Sequence, residues 1–114
     1  TLGVTAGGNI TNSGKLTVTG GTTLNANGND ITLNNNANNF STVAANGANV
    51  TLNDSNGINL GASSITGTLG VTAGGNITNS GKLTVTGGTT LNANGNDITL
   101  NNNANNFSTV AANG

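Results

Sequence analysis

Five side chains in this 114-residue chain are formally charged at neutral pH: Lys15, Lys82, Asp30, Asp54 and Asp97. His and Cys are absent. Acid–base and nucleophilic catalysis need groups that can give, take or attack at neutral pH. The Ser and Thr hydroxyls have no base beside them in the sequence to activate them. The expectation is a protein that is not an enzyme, with no catalytic residue, cofactor site or metal site. The nearest approach to metal chemistry is weak calcium binding at Asp30, Asp54 and Asp97. A calcium-binding β-roll needs G-G-x-G-x-D-x-U-x in tandem. The run Asn27-Gly28-Asn29-Asp30-Ile31-Thr32 lacks the first glycines and puts Thr32 at the apolar place. Asn53-Asp54-Ser55-Asn56-Gly57 resembles part of an EF-hand loop without its twelfth, acidic ligand. Asx-turns at sharp corners explain these aspartates better.

The other candidate groups have plain readings too. Lys15 and Lys82 read as solvated charges that discourage lateral strand pairing. Phe40 and Phe107, the only aromatics, read as core fillers rather than a sugar-stacking platform. Thr17 and Thr19 form one outward threonine pair, with Thr22 and Thr23 nearby; an ice-binding face would need such pairs on successive coils. Gly7-Gly8 and Gly20-Gly21 are corners, not phosphate loops, because no helix follows them.

The elements that hold these residues must come from an unusual composition. Only 4% of residues are charged, and Asn, Thr and Gly exceed half of the chain. Such a mixture would point to disorder, but the net charge is only -1 and Leu, Ile and Val recur at short, regular intervals. Helix is excluded by the poor helix formers and by the absence of an i, i+3, i+4, i+7 apolar pattern. No basic patch exists to drive nucleic-acid binding. No apolar run approaches the roughly 18 residues that span a bilayer. No signal peptide opens at Thr1, so an exported parent would carry this chain as an internal segment.

An internal repeat decides the architecture. Residues 1–47 recur unchanged as 68–114, a period of 67 residues. The units are therefore 1–67, complete, and 68–114, truncated, in one continuous solenoid. Within a unit, Leu2-Gly3-Val4, Leu16-Thr17-Val18, Ile31-Thr32-Leu33, Val50-Thr51-Leu52 and Ile58-Asn59-Leu60 each place two aliphatics one residue apart. In a strand those two share a face. Single inward positions fall at Ile10, Leu24, Phe40, Val43 and Ile65. Gly- and Asn-rich corners lie between them, where positive φ is tolerated. Strands this short cannot stand as hairpins. They can stack as a parallel β-helix, each coil bonded to its neighbours, with corner Asn residues in amide ladders. Anchors at Leu2, Leu24, Val50 and Leu69 are 22, 26 and 19 residues apart, which predicts about three coils per unit and a rise of about 14 Å. An antiparallel sandwich is disfavoured, since it needs longer strands and a bulkier core.

Residues 2–33, 31–43 and 50–67 resemble the repeats of filamentous-haemagglutinin-like exoproteins. The succession VTAGGNIT, SG, LTVTG and TTL, followed by NNANNF, carries that resemblance. These are the two-partner-secretion adhesins of Gram-negative bacteria. The resemblance implies a right-handed parallel β-helix, exported through an outer-membrane β-barrel transporter and secreted or held at the cell surface. It implies a role in adhesion, cell–cell contact and biofilm matrix. The expected function is a structural stalk or filament segment that contacts further copies of itself, head to tail or laterally. The alternative is a lateral face that binds polysaccharide or ice. An enzyme on a β-helix scaffold would need clustered Asp, Lys or Arg, which this chain lacks.

Overall fold

The computed structural model describes all 114 residues. It is all strand and turn, with no helix. In chain order the strands are β1 (Leu2–Thr5), β2 (Ile10–Thr11), β3 (Thr17–Asn25), β4 (Ile31–Leu33), β5 (Asn39–Gly47), β6 (Val50–Asp54) and β7 (Ile58–Leu60). They continue as β8 (Ser63–Ile65), β9 (Leu69–Ala73), β10 (Ile77–Asn79), β11 (Leu83–Val85), β12 (Thr89–Asn92), β13 (Ile98–Thr99) and β14 (Val110–Asn113). All pairings are parallel. Strands β2, β4, β6, β9, β12 and β14 stack as a six-stranded sheet, one strand from each of six coils. The remaining eight form the second sheet, which carries an irregularity between Val18 and Gly21. The chain is a β-solenoid of identical repeats.

Alternation explains what lies inside. β6 buries Val50, Leu52 and Asp54 and turns Thr51 out; β9 buries Leu69, Val71 and Ala73. Twenty-one buried apolar residues form one continuous core between the sheets. Each of the expected inward positions Ile10, Leu24, Phe40, Val43 and Ile65 is in it. Stacked aliphatics such as Ile31, Val50 and Leu69 run along the axis in register.

The coil register differs from the sequence expectation. Leu2 pairs with Thr22, and Leu24 pairs with Val4, so Leu2, Leu24 and Val50 do not share a column. Paired residues lie between 17 (Val43 to Leu60) and 22 (Thr17 to Asn39) positions apart. The spread reflects corners of unequal length. Three coils along the Leu2 column reach Leu60, through Thr22 and Val43, so a 67-residue unit holds three coils plus nine residues.

Positive φ also occurs at fewer corners than the glycine content predicts. It is confined to Asn27-Gly28 (51° and 82°) and the same pair one unit on, Asn94-Gly95 (51° and 89°). Other glycines are required by close approach instead. A Cβ on Gly81 would overlap the backbone of Ala62, and one on Gly74 would overlap Ser55.

Candidate functional site

The charged residues are dispersed. No three acidic, imidazole or thiol groups converge anywhere in the chain. Asp30 sits at a corner where its Oδ1 accepts the Asn49 N–H at 3.0 Å, and its own N–H donates to Asn9 Oδ1 at 2.9 Å. One unit on, the Asp97 N–H donates to Asn76 Oδ1 at 2.9 Å. The Asp30 carboxylate thus staples two coils, Asp97 does so only through its main chain, and the structure does not bring Asp30, Asp54 and Asp97 together.

Asp54 is the exception in environment. It ends β6 with its side chain inward, and it is 4% exposed. Oδ2 accepts the Phe40 N–H and Oδ1 the Asn56 N–H, both at 2.8 Å. Burial pushes its carboxyl above the ordinary value of 3.8, and the hydrogen bonds from Asn56 and Phe40 pull the other way. Beside it runs a polar cleft of about 410 Å³ bounded by Asn36, Asn53, Ser55, Thr72, Gly74 and Asn94. With both oxygens engaged by backbone and no second carboxylate, Asp54 closes a corner between the second and third coils.

Asparagine does most of the remaining stitching, though not as the amide ladders expected at the corners. Asn27 Nδ2 donates to Ala6 O at 3.0 Å and Asn94 Nδ2 to Ala73 O at 3.1 Å, each across one coil. Amide-to-amide contacts are few, because corner asparagines meet the neighbouring carbonyl before they meet another side chain. Buried Asn38 is the clearest case sequence reasoning missed. Its Oδ1 accepts Asn12 Nδ2 at 2.8 Å and the Leu16 N–H at 2.9 Å, and its Nδ2 donates to Leu33 O at 3.2 Å. Asn105 repeats the acceptor pair with Asn79 and Leu83, both at 2.9 Å. The run Asn35-Asn36-Ala37-Asn38-Asn39 before Phe40 does not itself mark Asn38 as the amide that turns inward.

The lateral surface completes the inventory. Lys15 and Lys82 are exposed, and Lys82 borders a shallow cleft of about 380 Å³ with Asn46, Ser63, Ser64 and Thr84. Phe40 is 2% exposed, so it offers no stacking platform, and Phe107 is half-buried against the core. Thr17 and Thr19 both point outward, Thr22 inward. On the six-stranded sheet, Thr11, Thr32 and Thr51 stack in register; Gly70 follows them, then Thr90.

Residues 1–46 and 47–113 each match the model of one family, described as repeats of unknown function (DUF5649). Their second match is 67 residues long, the period of the internal repeat. No curated protein and no solved structure matches the chain.

Proposed function

The chain belongs to the DUF5649 repeats, and from that premise we propose that it is a rigid spacer. In this reading it is a stalk or filament segment of a large secreted bacterial adhesin or extracellular fibre, serving cell–cell or surface attachment and biofilm matrix. The observation that carries the reading is that coils are joined to one another by main-chain hydrogen bonds on both sheets, leaving only dispersed polar groups outside. Ile10 N–H donates to Asp30 O at 2.9 Å, Ile31 N–H to Asn49 O at 2.9 Å, and Val50 N–H to Thr68 O at 2.8 Å, one coil after another. Such a stack gains length and stability together as units are added.

Export through an outer-membrane β-barrel transporter, display outside a Gram-negative cell and contact with further copies of itself belong to the same proposal. They rest on the resemblance to filamentous-haemagglutinin-like exoproteins. The exterior agrees with this role: nearly uncharged, rich in Asn and Thr, and without long-range repulsion between neighbouring rods.

A second reading, a lateral face for polysaccharide or ice, has one observation in its favour. This is the outward rank of Thr11, Thr32, Thr51 and Thr90. The rank is single and interrupted at Gly70, so the spacer is the better account. The test is a protein of four units studied by small-angle scattering. A rod lengthening by about 16 Å per added unit supports the spacer, at roughly 4.8 Å per coil. A maximum dimension independent of unit number refutes it.

A further inference from the structure

The two units share more than sequence: their coil-to-coil pairings are the same. Leu2 pairs with Thr22 as Leu69 pairs with Thr89. Ile10 pairs with Ile31 as Ile77 pairs with Ile98. Thr22 pairs with Val43 as Thr89 pairs with Val110. Yet the corresponding pairs lie in different sheets. Leu2 and Thr22 belong to the eight-stranded sheet, Leu69 and Thr89 to the six-stranded one; Ile10 and Ile77 exchange places the other way.

The cause is the mismatch between unit and coil. The fourth coil places Leu60 in the Leu2 column, and Leu69 comes nine residues later, on the next sheet. Glycine contacts hold the offset firmly at the junction. The backbone of Ser55 and of Ala62, from the end of the first unit, occupies the space a Cβ would need on Gly74 and Gly81 of the second.

We propose that successive units are related by a screw rather than by a simple translation, so that an array offers each exposed group of the repeat on a new side of the rod in every unit. The threonine rank shows the consequence. The line through Thr11, Thr32 and Thr51 continues as Gly70, Thr90 and Ala111, while the counterparts of Thr11 and Thr32, which are Thr78 and Thr99, stand on the other sheet. No side of the rod repeats one contact at every unit. A second rod lying alongside meets changing chemistry, and contacts that recur in each unit, such as those of Lys15 and Lys82, follow a helical track. The interaction surface of the array is its whole circumference, and flat side-by-side packing of rods on a single face is disfavoured.

Spin-label distances test the screw without reference to what the rod holds. The chain has no native cysteine, and Thr23, Thr32 and Thr90 sit at outward strand positions. Thr23→Cys/Thr90→Cys labels one repeat position twice. Thr32→Cys/Thr90→Cys labels one column three coils apart, through Thr51 and Gly70. The column pair should lie about 15 Å apart, and the repeat-position pair should be longer by at least about 3 Å, because the usual separation of about 10 Å between facing sheets lies across the axis and adds to the axial rise in quadrature. A repeat-position pair equal to or shorter than the column pair overturns the proposal. Thr11→Cys/Thr78→Cys should give the same long distance, so a folding failure in one pair leaves another to decide.

Discussion

Two kinds of buried polar residue set the chemistry of the interior. Asp54 keeps its proton in the folded chain at pH values where the unfolded chain has lost it, because burial raises its folded value above 3.8. Its contribution to stability is therefore fully present below the unfolded value and falls as pH rises through the folded one. Lowering the pH from 7 to below about 4 should raise the thermal midpoint through this group. Asp54→Asn should lack that gain, because its amide is neutral over the whole range and has one acceptor oxygen, as the protonated carboxyl does. The same pH dependence in both proteins would show that Asp54 is not its source. Thr22 and Thr89 are the second kind, one repeat position seen twice. Each is buried, and neither hydroxyl has a hydrogen-bond partner. The neighbours in register are aliphatic, Leu2 and Val43 for Thr22, Leu69 and Val110 for Thr89. Thr22→Val and Thr89→Val should each stabilise by on the order of 1 kcal/mol in denaturant unfolding, because an unpaired buried hydroxyl is removed at nearly constant shape.

Between strands, the same glycine has two different reasons for being there. Gly14 and Gly81 occupy one repeat position. A Cβ at Gly14 meets open space, whereas at Gly81 it collides with the Gly61–Ala62 backbone of the neighbouring coil. Gly14→Ala should be close to neutral. Gly81→Ala should cost at least the 1–3 kcal/mol of an overpacked site, as read from chemical denaturation. Equal effects at the two positions would mean that the coil contact is not what selects glycine. This difference explains what the sequence could and could not reveal. Alternation alone identified Ile31 and Leu33, Val50 and Leu52, and Ile58 and Leu60 as inward, because the side-chain period of a strand is fixed at two. Register was not legible, because short aliphatic pairs stack acceptably at several offsets. Leu2 could meet Leu24 or Thr22, and only the lengths of the intervening corners select Thr22. Nor was the role of Asp54: the alternation from Val50 places it inside, but an Asp followed by Ser-Asn-Gly looks like a turn. Asn38 was hidden for a related reason, since nothing in a run of asparagines marks which amide points inward.

Across the whole molecule, burial depends on how many coils flank a residue. Leu83 is fully buried and its counterpart Leu16 only half-buried; Ile31 is fully buried and Ile98 half-buried; Val43 is 0% and Val110 47% exposed. Identical side chains thus contribute differently according to their place in the stack, as expected when each coil touches only its neighbours. Leu83→Ala should cost about 2–5 kcal/mol, and Leu16→Ala clearly less, in parallel denaturant titrations. The same logic extends to arrays. Each added unit covers an outer coil and leaves one new outer coil behind, so the exposed end surface stays constant while the number of fully flanked coils grows. Total unfolding free energy should therefore rise with unit number and its increments should become constant. The denaturant slope should rise alongside it for as long as the array unfolds cooperatively, since that slope follows the surface exposed on unfolding. Stability independent of unit number would mean that the units fold as separate bodies. That result would remove the continuous core on which both the spacer and the screw depend.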